Sequence, residues 1–147
     1  MNPEGLRCKR ALFDRLTAQA GPGLPLAGVQ VAYAWPGGTA QREMVYGGGV
    51  RFTRTSAGHS GTGELWLETA TIGLYIRVRT PGATVEETDA RVQEIAGAVE
   101  DLLAADPELA DGFTYSQMSG GTADYATDDE ASVSVLAYQV ACQYYLD

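Results

Sequence analysis

The 147-residue chain has one histidine and two cysteines, too few for most constellations of nucleophile, base or metal ligand. A hydrolytic triad needs a base oriented by a third group. His59 stands alone in the stretch "SAGHSGTG" (56–63), beside neither a cysteine nor a carboxylate cluster. That stretch also lacks the Lys-Ser/Thr of a phosphate loop, and no helix is expected to open after it. Cys8 and Cys142 have no CxxC partners. They read as two buried reduced thiols, with a disulfide joining the ends of the chain left open. No apolar run approaches the roughly 18 residues of a membrane span. The N-terminus, "MNPEGLRCKRALFDRL", lacks the uninterrupted apolar segment of a secretory signal, so a cytoplasmic setting is expected.

Basic residues are scarce in the second half. Residues 1–80 hold nine Lys/Arg against five Asp/Glu, a net +4, whereas residues 81–147 hold only Arg91 against fourteen acids, a net −13. The overall charge of −9 argues against tight nucleic-acid binding, which needs clustered cations to displace counterions. The split fits a solvated acidic helix surface, or complementary faces that meet between copies or partners.

What is present is a core. Apolar residues make up 45 % of the chain and charged residues 20 %, a balance for one folded domain spanning 1–147. Leu6 to Ala20 predicts a first helix, with Leu6, Cys8, Leu12, Phe13 and Leu16 on one stripe. "GPGLPLAG" stops it. "VQVAYAW" (29–35) alternates as a strand with Val29, Val31, Tyr33 and Trp35 on one face, and "PGG" (36–38) reads as a turn. "EMVY" and "VRFTRT" are short strands joined through "GGG" (47–49), followed by a flexible tip at 56–63. "ELWLETATIGLYIRVRT" reads as a long strand, open to a break near Thr69–Thr71, with Ile72, Leu74, Ile76 and Val78 on one face. Tyr75, Arg77 and Arg79 take the other, which should meet water or a partner.

The best-marked element follows. Thr84 is a natural N-cap with Glu87 three residues on, a capping box. Val92, Ile95, Ala96, Val99, Leu102 and Leu103 then recur at helical spacing, and Pro107 ends the run. The helix should lie on the sheet and leave an acidic back. "FTYSQMSG" and "ASVSVLAYQVACQYY" predict two closing strands around an acidic tip, "GTADYATDDE". Asp124, Asp128, Asp129 and Glu130 in that tip lack the alternating spacing and central glycine of a calcium loop. The fold expected is α+β: a mostly antiparallel curved sheet, one long helix packed on its face, and an N-terminal helix.

Three fragments, "VQVAYAWPGG", "EMVYGGGV" and "LYIRVRTPGATVEETDARVQEIAGAVEDLLAADPEL", together resemble the tail terminator proteins of long-tailed, siphovirus-type bacteriophages. In that family a core strand runs through a Gly-containing turn into a "T-x-x-E-A/T-D-x-R" helix ending in "DP-x-L", and a strand pair closes the domain. The resemblance covers roughly residues 26–147. It departs from the pattern at "ADG" (110–112), where the family usually has Gly-Gly.

The resemblance implies a non-enzymatic virion protein with no cofactor or metal. It implies a ring, usually of six copies, that caps the tail tube, stops its polymerisation and docks the head or neck at the head-proximal end of the tail. Assembly would take place in the host cytoplasm. The implied partners are the tail tube protein, a head–tail connector or neck protein, and genomic DNA only in passage through the lumen. On this reading Arg51, Arg54, Arg77 and Arg79 are candidates for the inter-subunit interface. His59, Asp124, Asp128, Asp129 and Glu130 are candidates for docking or lumen loops. Two other readings stay open: a head-completion or stopper protein of the neck, and a small ligand-binding or enzymatic α+β domain.

Overall fold

The computed structural model describes residues 4–61, 63–108, 113–127 and 130–146, with side chains described for all of these but 60, 113–118, 126 and 127. Two helices, α1 (Gly5–Ala18) and α2 (Val85–Ala105), pack on one face of a five-stranded sheet. Its strands are β1 (Gln30–Ala32), β2 (Glu43–Ser60), β3 (Gly63–Pro81), β4 (Phe113–Thr127) and β5 (Ala131–Leu146), in the spatial order β1-β2-β3-β5-β4.

The core follows from the period of β3. Ala70, Ile72, Leu74, Ile76 and Val78 are all buried and point to the helices. Their cross-strand neighbours on β5, among them Val140 and Cys142, extend the layer, and Tyr144, opposite Glu68, continues it. Cys8, Leu12, Phe13 and Leu16 of α1 and Val92, Ile95, Ala96, Val99 and Leu103 of α2 join the same cluster. Thr84 caps α2 as the sequence predicts, accepting a hydrogen bond from the Glu87 amide at 3.2 Å. In α1 the predicted stripe shifts. Leu6 is 64 % exposed, and Lys9 is buried in its stead, its ammonium donating to the Gly48 carbonyl at 2.7 Å and lying over the Tyr33 ring.

The expected mostly antiparallel, curved sheet is corrected in two respects. First, the sheet is mixed, because β1 pairs with β2 in parallel, Gln30 opposite Met44 through Ala32 opposite Tyr46. The "PGG" segment makes no hairpin; it enters a short 3₁₀ turn, Gly37–Thr39, which carries the chain back so that β2 starts in the direction of β1. The side chain of Gln30 spans that crossover: its Nε2 donates to the Thr39 carbonyl at 3.2 Å, and its Oε1 accepts from the Gln41 amide at 2.8 Å. Second, the sheet does not curl. β1 and β4 remain separate edges. A helix about 10 Å wide covers about two strands spaced 4.8 Å apart. Here α1 lies over β1–β3 and α2 over β3–β5, so two helices side by side cover an open sheet that one helix would cover only if the sheet wrapped around it.

The strands are also longer than expected. "EMVY" and "VRFTRT" belong to one strand, with a register shift between Gly47 and Val50 where the glycines lie. β3 runs unbroken past Thr69–Thr71. The stretch read as a flexible tip is paired strand, out to Ser60 opposite Gly63. The acidic stretch is strand as far as Thr127.

Candidate interaction surfaces

The face of the sheet turned away from the helices carries three cross-strand rows that matter for binding. Met44, Arg77, Val135 and Asp124 form one, from β2 through β3 and β5 to β4. Tyr46, Tyr75, Ala137 and Thr122 form the next, and Arg51 and Thr71 lie further along. Tyr46 and Tyr75 stack with ring centroids 5.1 Å apart, and Trp35 meets Tyr46 edge-on at 5.1 Å. The Arg77 guanidinium sits 5.5 Å from the Trp35 ring, a cation–π contact. Burial first, then the neighbouring Tyr75, pushes the Tyr46 phenol above its ordinary range. Trp35 nevertheless remains 50 % exposed.

Sequence alternation did not foresee this cluster. It put Tyr33 and Trp35 on one strand face, but β1 ends at Ala32 and the chain bends at 33–34. Tyr33 therefore packs edge-on against Phe13 on the helix side, at 6.1 Å, while Trp35 goes to the opposite face. The available signal was the "AWPGG" run, where a proline and two glycines make continued pairing a poor expectation.

The four candidate interface arginines do not share a surface. Arg51, Arg77 and Arg79 belong to the helix-free face. Arg54 lies three residues from Arg51 and so on the other side, where its Nε approaches Glu68 Oε2 at 2.6 Å. Glu68 is fully buried. It also accepts a short hydrogen bond from the Tyr144 hydroxyl and one of 3.3 Å from the Glu4 amide, at the start of α1. The carboxylate thus ties β2, β3, β5 and α1 together. Arg79 reaches Glu130 of the same chain at 3.8 Å.

The candidate loop residues are at opposite ends. His59 is exposed near the tip of the β2–β3 hairpin, opposite Glu64. Asp124 is in β4 and Glu130 just before β5, at the other end of the sheet. Asp128 and Asp129 lie outside the described residues. The outer side of α2 is acidic, with Glu86, Glu87, Glu94, Glu100 and Asp101 exposed. Arg91, the only base of that half, is spent on Glu43, at 2.6 and 3.0 Å, and on Glu94 at 2.9 Å.

Chemistry is thinly supplied. Among the described residues no three His, Cys, Asp or Glu side chains gather as a metal site. Cys8 and Cys142 are buried and unbridged; the neighbouring Cys142 thiol first, and then burial, raise the Cys8 thiol far above its ordinary range, which disfavours a reactive thiolate. Depressions on the helix-free face, one of about 400 Å³ by Arg51, Thr71, Gly73, Tyr75 and Gln139, and one of about 370 Å³ by Tyr75, Asp124, Tyr125 and Val135, are open.

No known protein family matches the chain by sequence, and no curated protein does. Among solved structures, a chain from the virion of a native gene transfer agent (GTA) particle matches with a TM-score of 0.55 and 22 % identity, over 92 % of this chain and 93 % of that one. The likeness is one of fold, and it runs nearly end to end in both chains.

Proposed function

We propose that this chain is a structural protein of a phage-type virion, and within it the tail terminator: a ring, of six copies, that caps the tail tube, halts its polymerisation and presents a docking face to the neck. The observation that carries the reading is the fold shared with a GTA virion chain over almost the full length of both. Fragment-level resemblance to tail terminators supports the finer assignment. So does the character of the surfaces, which are broad, open and charged, as docking between proteins requires, where an enzyme would converge polar groups in a pocket. Arg51, Arg77 and Arg79 on the helix-free face and the acidic outer side of α2 give opposite signs to two sides of one subunit. Each side can dock a partner of complementary charge. DNA would pass the acidic surfaces without adhering to them.

The test is to add the purified chain to polymerising tail tube protein and measure tube lengths by electron microscopy. A terminator shortens the tubes and is found at one end of each. Unchanged tube lengths, together with restored retention of DNA in filled heads, would assign the chain to the neck as a stopper instead.

A further inference from the structure

The sheet has two long open edges. β1 covers β2 only from Met44 to Tyr46, and the Lys9 ammonium takes the Gly48 carbonyl, so from Val50 onward the outer edge of β2 pairs with no strand among the described residues. On the far side, β4 has β5 on one flank and, among the described residues, no strand on the other. An open edge presents a row of backbone donors and acceptors, and proteins usually blunt such edges with lysine, proline or a covering element. Neither Val50–Ser56 nor Gly120–Thr127 contains a lysine or a proline. Each is a run of unbroken register, seven residues between two register shifts on β2 and eight from a register shift to the end of the strand on β4. Each also exposes an aromatic side chain: Phe52 is 46 % and Tyr125 65 % exposed.

We propose that these two edges pair with each other between copies of the chain, β2 of one against β4 of the next, so that the sheet continues across the subunit boundary. The inference rests on the reading of the chain as a self-assembling structural protein and specifies its contact. Strand direction permits it. β2 is antiparallel to β3, β3 to β5 and β5 to β4, so β4 runs opposite to β2, and a neighbour displaced sideways without being turned over offers an antiparallel partner. Charge selects it. Arg51 is the only ionised residue of its run on the helix-free face, since Arg54 points the other way to Glu68, and Asp124 is the only ionised residue of the β4 run. A symmetric β2–β2 contact would gather arginines, and a symmetric β4–β4 contact would gather aspartates, whereas β2 against β4 joins opposite signs.

The charge pair also sets the register. With Arg51 opposite Asp124, Thr53 falls opposite Thr122, and Phe52 opposite Ala123 on the helix side. Within one subunit the row of Asp124 leads to Met44 of β2, not to Arg51. Successive copies therefore meet with a stagger along the strands, and a stagger with tilted strands is how a sheet closes on itself. Because the contact joins two different edges, it generates a ring or a helix and not a closed dimer.

The experiment uses two variants of the full chain, Thr53→Cys and Thr122→Cys, whose altered positions are exposed. A short bis-maleimide is added to each alone and to the mixture, over a range of chain concentrations up to millimolar. The mixture is expected to give a cross-linked dimer containing one of each variant, rising with concentration, with loss of that product when either variant is alone. A chain carrying both cysteines should give a ladder of higher products. Self-cross-linking by one variant as efficient as in the mixture, or no cross-link in the mixture at any concentration, overturns the proposal. The tube-length assay is separate: a chain that caps tubes but fails to cross-link loses only the edge pairing, and one that cross-links but leaves tubes uncapped loses only the terminator role.

Discussion

Arg54 Nε lies 2.6 Å from Oε2 of Glu68, a carboxylate with no exposed surface. A buried carboxylate is held at a cost, and its partners decide whether that cost is met. The Tyr144 hydroxyl and the Glu4 amide supply two further donors, so α1 is docked on the sheet through this one group. Arg54→Met should lower stability by about 1–3 kcal/mol, discounted because the guanidinium is partly exposed. Glu68→Gln in the same chain should recover part of that loss, because an amide is cheaper to bury without a cation. Urea unfolding of the two single variants and the double variant measures the coupling; a coupling near zero would mean that the pair contributes nothing.

The long helix gives a second test. Ile95 and Val99 are buried against the sheet, so Ile95→Ala or Val99→Ala should cost about 1–4 kcal/mol through the cavity left behind. Glu94 points outward and shares Arg91 with Glu43. Glu94→Ala should change stability by less than about 0.5 kcal/mol. Thermal melts rank the three variants, and a larger loss for the glutamate would put the wrong side of α2 in the core.

Gln30 holds the parallel crossover with both ends of its amide. Gln30→Ala should cost about 0.5–1.5 kcal/mol, and the change should be local. The Gln41 amide, which donates to Gln30, should exchange with solvent faster, while amides of β3 and β5 keep their protection. Uniform loss of protection across the sheet would show that the crossover and the core unfold as one unit.

What was legible in the chain divides along physical lines. The α2 boundaries, its N-cap and its buried stripe were readable because cap chemistry and helical period are local. So was the core face of β3, where Ile72, Leu74, Ile76 and Val78 alternate with polar residues. The direction of β1 was not readable: three residues carry no information on whether their partner runs with or against them, and the deciding contacts are made by Gln30 to residues nine and eleven positions away. The glycines at 47–49 suggested a break between strands, yet the pairing resumes at Val50 after a register shift. Arg54 shows both sides of the matter. Its spacing from Arg51 already placed it on the opposite face, but only the fold brings Glu68, fourteen residues on, beneath it.

Gly47 is required by close approach. A Cβ there would come 2.2 Å from the Tyr33 carbonyl and 2.7 Å from Lys9 Cε, and the first of these is backbone that cannot swing aside. Gly73 is different, since a Cβ would find ordinary contacts from 3.4 Å outward. Gly47→Ala should therefore destabilise by about 1–3 kcal/mol, as overpacking does. Gly73→Ala should stay within about 0.5 kcal/mol of the parent. Chemical denaturation compares the two, and a Gly47→Ala loss as small as that of Gly73→Ala would mean that the chain at Tyr33 shifts to accept the added methyl.

The last prediction concerns assembly, and with it Arg77 and Arg79. Both belong to the helix-free face, but they are differently engaged. Arg77 lies over Trp35 beside the stacked tyrosines, and Arg79 is drawn toward Glu130 in its own chain at 3.8 Å. A contact of that length, with Glu130 84 % exposed, contributes at most about 0–1 kcal/mol. Reversing both charges should thus leave the subunit folded, with a loss of about 1 kcal/mol or less from the Trp35 contact. The effect on docking should be larger, because an acidic partner docked on the helix-free face would meet repulsion in place of attraction. Arg77→Glu with Arg79→Glu is expected to weaken capping of tail tubes at low salt and to differ less from the parent at high salt, where screening removes both attraction and repulsion. Tube-length distributions at two ionic strengths, beside a thermal melt of the subunit, separate the two effects. Capping equal to the parent's at low salt would remove this pair of arginines from the proposed docking surface.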